Sequence, residues 1–342
     1  MAKYTIYHPL FPKQIPVNPR SSWDYTNITD LLAHELKREL LMLGHQVNIC
    51  YVDFPHDEGK TIYIEELNIH ITSHTVICDS LWFMIANDDT RKFVIVDMQD
   101  SPSITNVLNK HPNYVMSLVS QYSLERYQVD SPDLDFTKLL PFVYFAYYPK
   151  LVESKIQEIQ DIRNSCQLDN RIFFYGNNRD TYRHSGRKIR EVISLLELKY
   201  PDEVCVGGME SKLPPEEFFK KAATHTINLG LPGHPWCPRE HELWILGLPV
   251  MLYEHTHHLA VDLIPNYHYI AVPSGRRLSI GMPENPELAA DNIIKAHRTW
   301  LNGDNRWRLN NIARNGQRRI LKEASPTTIM PKLIELLQLG YW

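Results

Sequence analysis

Cysteine, glycine and positive charge are all sparse in this chain. Its 342 residues hold five cysteines and 14 glycines, and 36 lysines and arginines stand against 40 acids. The cysteines, at 50, 78, 166, 205 and 237, are odd in number and widely spaced, with no C-x-x-C pair. That argues against a zinc ribbon or a disulfide framework and for reduced thiols. A formal charge of −4 argues against a general nucleic-acid binder, which carries a basic excess. No apolar run approaches membrane-spanning length, and MAKYTIYHPLF at the start lacks a long apolar core. The expectation is a soluble, cytoplasmic protein. Also missing are G-x-S-x-G, G-x-G-x-x-G, a Walker lysine loop, H-E-x-x-H, internal repeats and low-complexity tracts.

What is present is alternation of strands and helices. The hydrophobic share is 43%, and the length suffices for two domains with separate cores. Lys3 to His8 reads as a strand, Asp30 to Leu43 as an amphipathic helix stopped by Gly44, and Gln46 to Val52 as a strand. Ile62 to Ile71 alternates as a hairpin or an edge pair. Thr75 to Cys78 and Leu81 to Ile85 are further apolar runs. Lys92 to Val96 has the adjacent β-branched residues of a strand buried on both faces. Tyr114 to Val119 and Leu139 to Tyr147 complete a parallel sheet, with short helices near Ile104 to Asn109 and Ser123 to Tyr127.

Leu151 to Gln167 is polar and helix-permissive, and marks the domain boundary. A second series follows, with strands at 171–175, 203–206, 224–229, 250–253 and 269–272. Its helices fall at 186–198, 215–222, from Pro238, at 286–298, 304–321 and 328–337. The expected division is 1–150, a linker at 151–170, a second domain at 171–325, and a terminal helix at 326–342. Such alternation means open, mostly parallel sheets covered by helices, an α/β fold.

The most informative stretch is Ala223 to Glu254. Gly230, Pro232, Gly233, Pro235 and Pro238 break regular structure after a strand, and Pro238 and Glu240 suit the first turn of a helix. Gly247 and Pro249 close that helix. A stiff loop therefore feeds a helix N-terminus, where backbone N–H groups attract anions. Arg239 and Glu242 share a face of the first turn. The arginine can fork onto a phosphate, and the carboxylate can accept from a ribose diol. The alternative is an i,i+3 surface ion pair.

The R-x-x-E then G-x-P-V pattern after a Gly/Pro-rich loop resembles the nucleotide-sugar site of GT-B glycosyltransferases, with likeness to exostosin-like transferases and phage DNA β-glucosyltransferases. The resemblance covers mainly the second half. It implies two Rossmann-like domains facing across a cleft, with a nucleotide-diphosphate sugar, expected to be UDP-linked, as substrate. It implies no cofactor and no metal. It also implies an acceptor hydroxyl; the acidic balance fits a glycan or small molecule, slightly preferred, and the local likeness to the phage enzymes fits a hydroxymethylated base in DNA.

Phe174-Tyr175-Gly176-Asn177 ends the first strand of the second domain, and Arg179, Arg183, Arg187 and Lys188 follow. The Y-G then S-G-R-K arrangement is similar to the phosphate-holding stretch of the phage enzymes. The donor-binding candidates are therefore Gly176, Arg179, Arg183, Arg187, Pro232, Gly233, His234, Arg239 and Glu242. A solvated basic helix start is the competing reading for the arginines after Gly176. Asp97 and Asp100 end the buried first-domain strand, where a carboxylate could deprotonate an acceptor if the transfer inverts, and Asp97 resembles the base of the phage enzymes. Either could instead cap the helix near Pro102. His255-Thr256-His257-His258 does not by itself supply a metal geometry, and Trp236 could stack on a ring or pack. A non-catalytic nucleotide-sugar binder and a sugar-nucleotide epimerase are the rival functions on the same fold.

Overall fold

The computed structural model describes residues 1–9, 26–52, 61–74, 92–97, 111–119, 133, 135–141, 149–176, 185–207, 213–231, 238–253, 261, 263–273, 285–323 and 325–339. The chain divides into two compact units. Unit 1 is Met1–Tyr148, Leu259–Val261 and Glu323–Trp342, and unit 2 is Pro149–His258 and Asp262–Lys322.

Unit 1 holds β1 (Lys3–Pro9), α1 (Thr26–Met42), β2 (Gln46–Val52), β3 (Thr61–Ile64), β4 (Ile69–His74), β5 (Lys92–Asp97), β6 (Tyr114–Val119) and β7 (Leu139–Pro141). They form one sheet in the order β2-β1-β3-β4-β5-β6-β7. Every neighbouring pair is parallel except those of β3, which runs antiparallel to β1 and to β4. The expectation of a hairpin holds for β3 and β4. Their placement at an edge does not, because β3 inserts between β1 and β4 in the interior of the sheet. A single turn, Glu65–Leu67, followed by Asn68 at φ 51°, is too short for a crossover, so β4 must lie beside β3.

Alternation sorts the side chains of this sheet. Ile6, Ile62, Ile64, Ile69, Ile71, Val94, Val96, Met116 and Leu118 face one way and form the core with Leu32, Ala33, Leu36 and Leu40 of α1. Helix α1 ends in a Schellman turn. Gly44, at φ 81°, donates to Leu41 O, and His45 donates to Leu40 O. The last helix of the chain (Pro326–Leu339) adds Ile329, Met330, Leu333, Ile334 and Leu337 to the same core. On the opposite face Tyr7, Tyr63, His70, Phe93 and Tyr114 stand in register across five strands.

Unit 2 begins with α2 (Pro149–Ser154) and α3 (Ile156–Ser165), so the stretch read as a linker is helical and belongs to this unit. Then come β8 (Asp169–Tyr175), α4 (Ser185–Lys199), β9 (Val204–Gly207), α5 (Pro215–Ala223), β10 (His225–Leu229), α6 (Pro238–Ile245), β11 (Val250–Tyr253), β12 (Ile270–Val272), α7 (Pro286–Leu301) and α8 (Gly303–Glu323). The helix Pro326–Leu339 is accordingly α9. The sheet is fully parallel in the order β12-β11-β10-β8-β9. Ile172, Ile227, Met251 and Ile270 pack with Val192 and Leu196 of α4, Ile293 and Trp300 of α7, and Leu309 and Ile312 of α8. Among the described residues no helix is long and apolar enough to cross a membrane.

Candidate functional site

Unit 2 runs β8, α4, β9 toward one edge, then returns through α5 to β10 on the other side of β8. The strand order therefore reverses between β8 and β10. Connections leaving such a pair diverge to opposite faces, and ligands bind in the crevice left beyond the strands' carboxyl ends. The connection after β8 starts at Gly176 and enters α4 at Ser185, and the connection after β10 starts at Gly230 and enters α6 at Pro238. All the donor-binding candidates named from the sequence lie on these two connections or on the helices they enter. Arg187 is in the first turn of α4 and Arg239 in the first turn of α6. Arg179, Arg183, Pro232, Gly233 and His234 lie outside the described residues, as do Trp236, His255, His257 and His258.

The described part of this edge is held closely. Gly176 is buried, and its N–H donates to Gly207 O at 3.2 Å. Tyr175 lies flat against Gly207, where a β-carbon would come within 2.9 Å of the ring, and its hydroxyl accepts the Leu213 N–H at 2.6 Å. At the end of β10, a β-carbon on Gly230 would meet Glu240 Cγ and Oε1, each at 2.7 Å, and the Leu252 side chain. Glu240 thus ties the exit of β10 to the start of α6.

Three consecutive ionisable residues of α6 are buried, Glu240 at 3%, His241 at 0% and Glu242 at 1% exposure. A surface ion pair is therefore not the role of Glu242. The far end of α6 is anchored as firmly. Gly247, at φ 70°, donates to Trp244 O, and Leu248 donates to Leu243 O, a second Schellman turn. The Gln160 amide donates to Leu246 O at 2.5 Å and the Gln317 amide to Ile245 O at 2.6 Å. Trp244 is fully buried against Gly316, where a β-carbon would approach its ring to 2.8 Å.

In unit 1 Asp97 is the last residue of β5, in register with His74 of β4 and Val119 of β6 at the carboxyl edge. Asp100 lies outside the described residues. The strand order of this sheet reverses at β1, with β2 on one side and β3 on the other. His8, next to the carboxyl end of β1, is fully buried with its ring 5.4 Å from that of Tyr51. Sequence reasoning treated His8 only as a strand residue. The available signal was a histidine–proline step closing the first strand. A D-x-D tripeptide ahead of a strand was expected to be missing, yet Asp133-Leu134-Asp135 precedes β7. Asp135 accepts the N–H of Thr137 at 3.0 Å and its hydroxyl at 2.5 Å, so it caps a turn.

The amino edge of the unit 2 sheet carries a second polar cluster with a structural role. The β8–β10 register shifts between His225 and Ile227. Buried Arg163 of α3 donates to the carbonyls there, to His225 O at 2.7 Å, Thr226 O at 3.2 Å and Ala223 O at 3.4 Å. Its burial pushes the guanidinium pKa down to about 10. Burial likewise lowers the pKa of His225, which donates to Lys221 O at 2.8 Å, and of His297, which donates to Asn170 O at 2.6 Å.

No protein-family model and no curated protein matches the sequence. Solved structures do. A glycosyltransferase from Rickettsia africae ESF-5 is similar at 11% identity and a TM-score of 0.56, over 98% of each chain. The sucrose-phosphate synthase of Thermosynechococcus elongatus is similar at 14% identity and a TM-score of 0.56, over 91% of this chain and 93% of its own. Two α/β units with mostly parallel sheets and these neighbours together identify the architecture: the chain has the GT-B glycosyltransferase fold.

Proposed function

We propose that the protein transfers a sugar from a nucleotide-diphosphate sugar, UDP-linked by preference, to a hydroxyl of a glycan or small-molecule acceptor. The observation that carries this reading is the reversal of strand order between β8 and β10, because both candidate-bearing segments leave the sheet there. In this proposal Gly176 and the Pro232-Gly233-His234 loop let the backbone approach the diphosphate. Arg179, Arg183, Arg187 and Arg239 offset the charge that grows on the departing diphosphate. No metal is needed for that task.

Glu242 receives the ribose hydroxyls, with Glu240, beside Gly230, as the neighbouring competitor for the same role. In unit 1, Asp97 or Asp100 removes the acceptor proton as the anomeric carbon–phosphate oxygen bond breaks and the new glycosidic bond forms. The proton passes to the carboxylate and the bonding pair leaves with the diphosphate.

Incubation with a panel of nucleotide sugars, with and without candidate acceptors, tests the reading. Free nucleoside diphosphate and a glycosylated acceptor are expected together. A changed sugar from the donor alone would instead mean epimerisation, and binding without any product would mean a non-catalytic binder.

A further inference from the structure

We propose that the outward face of α8 docks the protein on an anionic lipid surface. Helix α8, GDNRWRLNNIARNGQRRILKE, carries six arginines and lysines against two acids. The whole chain has the opposite balance, at −4, so the positive excess is local to this helix. The inner face of α8 belongs to the fold. Leu309, Ile312, Ala313 and Ile320 are buried, and the Gln317 amide donates to Ile245 O at 2.6 Å. A β-carbon on Gly316 would meet His268 O at 2.6 Å, so the helix lies close against its own unit.

Helical spacing gathers a second set of residues on the other side. Trp307, Asn310, Asn311, Arg314, Arg318 and Lys322 recur every three or four positions, and all six are exposed. At a rise of ~1.5 Å per residue they form a row about 22 Å long. No acid interrupts it. Arg314, Arg318 and Lys322 stand one turn apart, a spacing at which like charges repel and cost the helix stability. Trp307 is 66% exposed, a large ring left in water. Two other arginines of the same helix are engaged instead. Arg306 donates to Asn170 Oδ1 at 3.2 Å, and Arg308 lies 5.4 Å over the Trp300 ring. The outward row is therefore a feature that folding opposes, and it points to a ligand outside the chain.

Such a ligand presents many negative charges to a convex helix and accepts an indole among them. An anionic bilayer does both. Tryptophan settles at the headgroup level, and arginine and lysine are drawn to the charged surface. Each cation brought there strengthens binding about fivefold, so Arg314, Arg318 and Lys322 together supply roughly a hundredfold. Acids elsewhere on the chain oppose this little, because physiological salt screens charges over about 8 Å. A nucleic acid fits less well. A helix reads a duplex by entering its groove, and the packed inner face keeps α8 from doing so. Among the described residues no helix is long and apolar enough to cross a membrane, so the contact is peripheral and reversible. None of the six residues belongs to the proposed donor site, and the inference stands apart from the transferase reading.

Co-sedimentation of the full chain with vesicles tests it, one set made of phosphatidylcholine alone and one with phosphatidylserine added. The chain should pellet with the anionic set only, and less as salt rises. Arg314→Gln combined with Arg318→Gln, both at exposed positions, should weaken that binding about 25-fold with the circular dichroism spectrum unchanged. Tryptophan emission should shift to the blue on mixing with anionic vesicles, and Trp307→Phe should remove the shift. Equal binding to both vesicle sets overturns the proposal. So does no binding at low salt, or anionic binding that the double variant leaves intact. Tighter binding to duplex DNA than to the anionic vesicles, lost in the same double variant, assigns the row to nucleic acid and overturns it as well.

Discussion

The carboxylate of Glu240 fills the space that a side chain on Gly230 would need, with Cγ and Oε1 each 2.7 Å from the place of its β-carbon. Glu240, in the first turn of α6, is thereby packed against the exit of β10. Gly230→Ala should cost about 1–3 kcal/mol of stability through overpacking. It should also weaken nucleotide-diphosphate binding, because the arginine of the same helix turn is displaced with Glu240. Thermal melts and a nucleotide titration measure the two effects. Glu240→Ala added to Gly230→Ala should recover part of the lost stability, leaving only the conflict with Leu252.

Arg163 should prove a stability residue without a part in binding. Arg163→Met strips the carbonyls of His225, Thr226 and Ala223 of their donor in a buried setting. The expected loss is about 3 kcal/mol, the cost of removing a buried charged partner. Denaturant unfolding would show it, with nucleotide affinity of the remaining folded protein unchanged.

Acid should loosen the molecule in two stages. Burial lowers the pKa of His225 and of His297. A histidine with a depressed folded value stabilises fully above the ordinary imidazole pKa near 6.5, and that stability is lost as pH falls through the folded value. Asp169 is lowered chiefly by its hydrogen bond from Arg171, and Glu203 chiefly by that from Arg298. Their contribution is present above the usual carboxylate range and fades only at lower pH. Melting temperature plotted against pH should therefore begin to fall below about 6.5. His297→Gln, which keeps a donor for Asn170 O, should remove part of the first stage, leaving the share of His225 and the second stage.

Much of this architecture was legible in the residues, and for definite reasons. Gly44 and Gly247 both take left-handed backbone where the helices they follow were expected to end. Pro238 opens α6 as its fixed φ allows. Strand β6 coincides with Tyr114 to Val119 because six consecutive buried residues leave no helical periodicity to confuse it. Strand order was less legible. Nothing local in Thr61 to Ile64 says that this strand inserts between β1 and β4, since position in a sheet is decided by long-range pairing. Burial was also hidden. For Glu242 the sequence left open a ribose-binding carboxylate and a surface ion pair; the helix turns it inward, which removes the second. Arg163 sat in a stretch read as a polar connector, and only the register shift of β10 shows what it donates to.

Chemistry and binding should separate by unit. Asp97→Asn and Asp100→Asn should leave donor affinity within a factor of about two, while one of them lowers turnover by about 10²–10⁴, the usual worth of a general base. Single-turnover assays alongside equilibrium binding distinguish the two effects. Wild-type turnover in both variants would remove the carboxylates from the reaction.

The central claim is that the crevice beyond β8 and β10 grips a nucleoside diphosphate. Isothermal titration of the wild-type chain and of Arg239→Ala with UDP, and in parallel with other nucleoside diphosphates, tests it most directly. One diphosphate should bind with a single site, and Arg239→Ala should weaken that site about 10- to 100-fold, as expected for losing a charge-assisted phosphate contact. Should none of them bind, or should Arg239→Ala bind as tightly as wild type, the claim is contradicted.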